Sequence, residues 1–386
     1  MPPRLALRRA LVLALCLSAA VSSFALAEPA SARTLFVGPR GSDVSRCSKA
    51  RPCKSFDRAY RVARAGDLVI VRGGRYPDQL IRRDPRKTTF RDVVFSAARG
   101  ARVVIATDLD VYGSHITFKR MRLLENWHAR EGARDLTFIN MNAQRFHVTS
   151  ASNIRVVGGS MGPSFNQVSQ IKAADGSRVA PRNIRISRVR FHDYRRTSST
   201  QHMECIHVMA VDGLVIRRSR FRRCSIFDIS FNEHGESNKM RRILLENNYF
   251  ARTLDGGHFA VHFSSGDPCE ALVRYNTFLQ GISTDCPETG AGVRIHSNIL
   301  PSMSSSVCRR NGYMWNWNVY ESGTRCGPRD RVARVSFVNR ARFDLRLTRY
   351  SAARNRGYRG GMARDDILGH RRPQGRAPDA GAHERP

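Results

Sequence analysis

The sequence predicts an all-β solenoid of stacked coils, a parallel β-helix, from three observations. A short phrase recurs: Leu244-Leu245-Glu246-Asn247-Asn248-Tyr249-Phe250, then Val273-Arg274-Tyr275-Asn276-Thr277-Phe278, then Arg294-Ile295-His296-Ser297-Asn298-Ile299-Leu300, with a looser copy at Trp315-Asn316-Trp317-Asn318-Val319-Tyr320. The bend asparagines 248, 276, 298 and 318 recur after 28, 22 and 20 residues. Such a period marks a unit that cannot bury its apolar side alone and must stack on its neighbours. The rhythm also continues upstream without the asparagine, at Leu214-Val215-Ile216, Ile184-Arg185-Ile186, Ile154-Arg155-Val156-Val157, Leu136-Thr137-Phe138-Ile139 and Ile116-Thr117-Phe118. Strands this short, with period-two alternation and polar bends, exclude a helical solenoid. Consecutive strands then pair in parallel, about 4.8 Å apart. Asparagine suits the bend because it tolerates left-handed backbone and bonds locally. Stacked amides of this kind can form a ladder. Turn chemistry already accounts for these residues, so ligand binding by them is the lesser expectation.

Residues 1–27 read as a secretory signal. Arg4, Arg8 and Arg9 form the basic start, Ala10 to Ala20 the apolar centre, and Ala25-Leu26-Ala27 the cleavage site. Leu15 before Cys16 is too large for lipoprotein processing. No later apolar run is long enough to span a bilayer. Residues 34–83 form the N-terminal cap and first coil. Thr34-Leu35-Phe36-Val37 is a strand. Ser55 N-caps a short helix whose stripe is Phe56, Ala59, Tyr60 and Ala63. Leu68-Val69-Ile70-Val71 opens the first coil, and the helix shields the exposed strand edge. Residues 84–350 supply about ten coils in all. The Arg/Gly/Pro-rich tail, 351–386, is expected to wrap as an extended segment or to be partly disordered.

Eight cysteines follow the signal, and an even number in an exported chain predicts disulfides. The expected pairs are 47–53, 205–224, 269–286 and 308–326. None has the doubled C-x-x-C spacing of a zinc site. The net charge is +33, and the signal carries +3 of it, leaving about +30. Almost all of the basic residues are arginine, which binds carboxylate and sulfate in bidentate fashion. This favours an acidic polysaccharide or an anionic cell envelope as partner. The even spread of arginine fits equally well a coding bias that places it wherever a polar residue is tolerated. Nucleic acid is excluded as a partner, since the chain is exported and lacks aromatics interleaved with basic residues. The protein is expected to be secreted and monomeric.

Several segments resemble the N-terminal cap of secreted right-handed parallel β-helix proteins of the pectate-lyase-like superfamily. They are Leu35-Phe36-Val37 with Gly41-Ser42-Asp43, Pro52-Cys53-Lys54-Ser55-Phe56, Ala65-Gly66-Asp67-Leu68-Val69-Ile70-Val71 and Gly73-Gly74-Arg75-Tyr76. Asp344-Leu345-Arg346-Leu347, Arg372-Pro373 and Asp379-Ala380-Gly381-Ala382-His383-Glu384 resemble its closing segment. The resemblance spans roughly residues 34–384 and implies right-handed coiling. It implies little about function, because that superfamily holds lyases, hydrolases, epimerases and spike-like binders. The Trp-Ile-Asp-His of pectate lyases and the paired-Asp and Gly-His-Gly signatures of polygalacturonases are absent. Arg371 to Arg376 matches an Arg-x-Pro-x-x-Arg string but lies beyond the last coil.

Reactive residue types concentrate between 192 and 262. His202-Met203-Glu204-Cys205-Ile206-His207 resembles a His-x-Asp/Glu-Cys-Ile-Gln phrase of exported β-helix proteins, with His207 in place of the amide. Alternation turns Phe227, Ile229 and Phe231 inward, and Asp228, Ser230 and Asn232 outward. On the next coil it turns Phe259, Val261 and Phe263 inward, and His258 and His262 outward. In register, His207, then Asp228 or Ser230, then His262 form one ladder, flanked by Glu204, His202 and His234. Arg217, Arg218 and Arg222 are placed to supply positive charge. Two mechanisms fit. In a lyase, His207 or His262 removes the proton α to a uronate carboxylate while an arginine steadies the charge. In a hydrolase, Glu204 and Asp228 are the two carboxyls. The competing reading is that His202 and Glu204 bond a bend and the histidines are merely solvated. Trp315, Trp317 and Tyr320 form either a sugar-stacking platform or coil-end packing. No cofactor is implied, and the oxygen ligands are too few to assert Ca²⁺. The function expected is binding and cleavage of an acidic polysaccharide. The alternative is a non-catalytic envelope or adhesion protein.

Overall fold

The computed structural model describes residues 32–165, 167–232, 240–256, 259–264, 269–285, 292–309 and 313–386. The expected signal segment, His234, His258 and Cys286 lie outside the described residues. Strand Thr34–Val37 pairs in parallel with Leu68–Val71. Helix Phe56–Val62 follows Ser55, whose hydroxyl accepts from the Arg58 amide at 3.1 Å. The helix buries Phe56, Ala59 and Tyr60.

Coil stacking is strict. One inward position passes through Leu35, Val69, Phe95, Phe118, Phe138, Val156, Ile186, Ile216, Leu245, Val273, Ile295 and Trp315, each in register with the next. Each such side chain is nearly or fully buried, and each contributes about 1.5–3 kcal/mol by leaving water. Phenylalanines stack in a second column, with centroids 4.7 Å apart for Phe191–Phe221, 4.9 Å for Phe221–Phe250 and 4.6 Å for Phe250–Phe278. Among the described residues the strands form a 23-stranded sheet and a nine-stranded sheet, both with parallel pairing throughout. The nine-stranded sheet runs Gln79–Ile81, Leu109–Val111, Asn126–Ala129, Arg145–Thr149, Ser169–Lys172, Ile206–Val208, Ile229–Asn232, Val261–Ser264 and Ile282–Thr284. The fold is a right-handed parallel β-helix.

The bend asparagines form an amide ladder. The Asn248 amide N donates to Asn276 Oδ1 at 2.9 Å, Asn276 to Asn298 at 2.9 Å, and Asn298 to Asn318 at 3.0 Å. Asn318 donates to Asp330 Oδ1 at 2.8 Å. Their Nδ2 groups donate to the backbone oxygens of Ile216, Leu245, Val273 and Ile295. All four asparagines have no exposed surface. The expected reason for them is corrected by one residue. The left-handed position is the residue before: Arg188, Arg218, Asn247, Tyr275, Ser297 and Trp317 have φ between 54° and 60°. The ladder asparagine is selected by its amide, which satisfies buried backbone groups where the chain turns.

The tail packs on this bend. Ala353, Ala380, Ala382 and Glu384 are fully buried. Arg372, also buried, pairs with Glu384 at 2.7 Å and donates to Asn247 Oδ1 at 3.1 Å. Its guanidinium lies over the Tyr275 ring at 4.6 Å. The Arg-x-Pro-x-x-Arg string therefore supplies a structural arginine. Disulfides join Cys47–Cys53, Cys205–Cys224 and Cys308–Cys326. Cys269 is also disulfide-bonded.

Candidate functional site

Outward positions of the nine-stranded sheet form a second register column. It reads Leu80, Asp110, His128, His147, Gln170, His207, Ser230, His262 and Ser283. Successive members are one rung, about 4.8 Å, apart. His207, Ser230 and His262 stand on three successive rungs. His128 and His147 were not singled out from the sequence. Each histidine sits between two apolar neighbours, in Trp127-His128-Ala129, Phe146-His147-Val148, Ile206-His207-Val208 and Val261-His262-Phe263. That fourfold triplet is the signal that marks the column.

The two upstream imidazoles are neutral at ordinary pH. Burial, aided by Arg130, pushes His128 down to about 2, and burial with Arg145 pushes His147 down to about 4. His128 Nε2 lies 2.7 Å from Thr149 Oγ1, and the two rings meet edge-on at 5.2 Å. Downstream, His262 Nδ1 is 4.0 Å from Asp285 Oδ2, which accepts from Ser283 Oγ at 2.7 Å.

Beside this column lie two buried carboxyls. Glu204 is 1 % exposed; its Oε1 is 3.5 Å from His202 Nδ1, and its Oε2 has no hydrogen-bond partner. Asp228 is fully buried, and neither oxygen has a partner. Burial raises both groups, Asp228 well above the usual carboxylate range, while His202 partly offsets the effect on Glu204. Burial therefore works against ionisation of both carboxyls.

Several expectations are corrected. Asp228 does not turn outward, because alternation fails before residue 229: the amides of Asp228 and Ile229 both donate to Ala260 O, at 2.9 and 3.0 Å, as in a bulge. Phe227 for the same reason does not enter the core; its ring stacks on His262 at 4.5 Å. Phe259 is 37 % exposed rather than buried. Ser230 faces the column but is 3 % exposed, and Asn232 is half-buried in register with Ser264. His202 is exposed. Arg217 and Arg222 belong to the long sheet, in register with Glu246 and with His192, so they do not serve the histidine column. Lys172, on the strand paired with 206–208, shares the column's outer face. Trp315 is a core residue at 5 % exposure and offers no stacking platform. Trp317 is half-buried, with Arg329 over its ring at 5.1 Å and Tyr358 stacked at 5.7 Å. Tyr320 is buried and donates to Asp330 Oδ2 at 3.0 Å.

One further cluster joins Asp366, His370 and His383, with ligand atoms within 4.8 Å of one another. Asp366 already accepts the amides of Leu368, Gly369, His370 and Glu384. His383 Nδ1 accepts from Leu347 N at 3.2 Å. These bonds fold the tail.

No protein-family model matches the sequence, and no curated protein matches it. Among solved structures, the chain is similar to "The complex structure of XylC with xylose", with TM-score 0.53 and 10 % identity over 90 % of this chain and 98 % of that one. It is also similar to a structure of pectate lyase Pel9A, with TM-score 0.48 and 14 % identity over 92 % and 96 % of the two chains. A third is PfbA, a surface adhesin of Streptococcus pneumoniae, with TM-score 0.37 and 10 % identity over 72 % and 83 %. The class defined is the right-handed parallel β-helix fold. No helix among the described residues is long and apolar enough to cross a membrane.

Proposed function

We propose that this is an exported protein that binds an acidic polysaccharide along the outer face of the nine-stranded sheet and cleaves it by β-elimination. The observation that carries the reading is the register of His207, Ser230 and His262 beside two buried carboxyls, of which Glu204 Oε2 and both Asp228 oxygens lack a hydrogen-bond partner. Elimination needs a base for the proton α to the uronate carboxylate, an acid for the leaving oxygen, and a cation near the substrate carboxylate. His207 or His262 serves as base, Glu204 as acid, and Lys172 as cation. Double-carboxylate hydrolysis is the less favoured reading, because it needs one ionised carboxyl and burial works against ionisation of both. The fold neighbour solved with bound xylose is a sugar-binding example of this architecture. The disulfides support export to an oxidising compartment.

Incubation with a panel of uronic-acid polysaccharides tests this. Elimination produces ultraviolet-absorbing unsaturated ends. His207→Ala and His262→Ala should between them identify the base by a loss of about 10²–10⁴-fold. New reducing ends without that absorbance would establish hydrolysis and overturn the assignment. Salt-sensitive binding with no new ends at all would favour a non-catalytic envelope or adhesion role.

A further inference from the structure

The last coil and the tail enclose a second cleft, on the long sheet rather than the histidine face. Two concavities, of about 790 and 380 Å³, share Trp317 and Arg329 as their dividing wall. These volumes fall in the range of small-molecule and oligosaccharide sites. The tail completes the cleft. Tyr358 and Gly361 are pinned to the coils because their carbonyls accept from Tyr275 Oη and the Arg274 guanidinium.

Three features bear on what this cleft can hold. First, its charge is uncompensated. Some arginines elsewhere are matched to acids, as in Arg33–Asp67, Arg130–Asp110 and Arg340–Glu321, though basic residues outnumber acidic ones 65 to 32 over the chain. Arg294, Arg329, Arg331 and Arg356 line the two concavities and make no ion pair with the described residues. The one carboxylate in the lining, Asp330, is 2 % exposed, and its oxygens accept from Asn318, Tyr320 and Gly327. Second, the positive groups are held close: burial lowers Arg356, and Arg331 and Arg376 lower it further. Third, Trp317 occupies the left-handed bend position with φ 60°. Tyr275 holds the same position two coils earlier, so the bend admits a large ring there. The placement projects the indole from the bend to fix the Arg329 guanidinium over its face.

We infer that this cleft is a separate binding site for an acidic oligosaccharide. Arginine forks read the carboxylate or sulfate groups, and the Trp317–Tyr358 pair forms the aromatic wall. Charge complementarity selects an anion, and the concave aromatic lining selects a sugar over a flat membrane surface. The site holds the polymer without acting on it, so it stands whether or not the histidine face is catalytic.

The test uses the full mature chain with short oligogalacturonate, a neutral galacto-oligosaccharide of equal length, duplex DNA and phosphatidylglycerol vesicles as probes. Arg329→Ala/Arg331→Ala/Arg356→Ala should bind oligogalacturonate at least tenfold more weakly. Arg331→Glu alone, at an exposed and unpaired position, should lose several-fold with an unchanged melting temperature. A ligand-dependent change in tryptophan emission should vanish in Trp317→Phe. Cleavage at the histidine face should be unaffected in short substrates, which separates this site from that one. Wild-type affinity in the triple variant overturns the proposal. So does an equal, Arg-dependent affinity for DNA or vesicles, which would make the cleft a general polyanion surface.

Discussion

The asparagine bend and the histidine face are built by the same device and differ in one respect. Both are columns of polar side chains placed one above another by coil stacking. In the bend every amide is used: Asn276 alone accepts two hydrogen bonds from Asn248 and donates to Leu245 O, Arg274 O and Asn298. Beside the histidine face, Glu204 Oε2 and both Asp228 oxygens are buried with no partner. Buried polar groups in folded proteins are nearly always satisfied, and leaving one bare costs about 1–3 kcal/mol. A polar column with complete bonding explains itself as structure. One that carries a persistent deficit is where function is to be sought.

The largest effect is expected from unpairing the buried ion pair that ties the tail to the bend. Arg372→Ala leaves Glu384 buried and unpaired and should destabilise by about 3–5 kcal/mol in denaturant titration. A small change there would mean that tail and coils are not energetically joined. Next, Asn276→Ala strands groups on two adjacent coils and should lower stability by about 2–4 kcal/mol. Asp228→Asn should act in the opposite direction. A carboxyl raised in the folded state binds its proton more tightly than in the unfolded chain, so its presence destabilises increasingly as pH rises above about 4. The variant should be more stable than the parent chain at pH 8, and the gain should shrink toward pH 4. If the variant is less stable at pH 8, Asp228 has a partner in solution and the contrast fails. A further pH effect concerns His128 and His147. Their folded values lie near 2 and 4, below the unfolded 6.5. The unfolded chain therefore takes up protons first, and stability should fall as pH drops from about 6.5 toward 4. His128→Gln/His147→Gln should flatten that fall in a melting-temperature series.

Much of the fold was legible because stacking imposes a period. Asn248, Asn276, Asn298 and Asn318 mark the bend, the apolar triplets mark the strands, and Ser55 with Phe56, Ala59 and Tyr60 marks the cap. The pairs 47–53, 205–224 and 308–326 followed from short separations. The site was read less well, for local reasons. Strict alternation placed His207, Ser230 and His262 on one face, where strands are regular. It misplaced Phe227 and Asp228, because the two amides sharing Ala260 O shift the phase by one residue before the strand begins. Arg217 and Arg222 were near in sequence but stand on the other sheet. His128 and His147 escaped notice because their coils lack the asparagine phrase.

The amide column of the bend has a direction. Each member's backbone amide donates to the side-chain oxygen on the next coil, and each side-chain oxygen receives from the coil before, starting where Val189 N donates to Ser219 Oγ and Ser219 N donates to Asn248 Oδ1. A relay of that sort cannot simply stop, since the last asparagine would be left holding donors with nowhere to send them. Asp330 resolves this by bringing a pure acceptor to the end of the line. The chain thereby carries a chemical full stop that tells the solenoid how many turns it has.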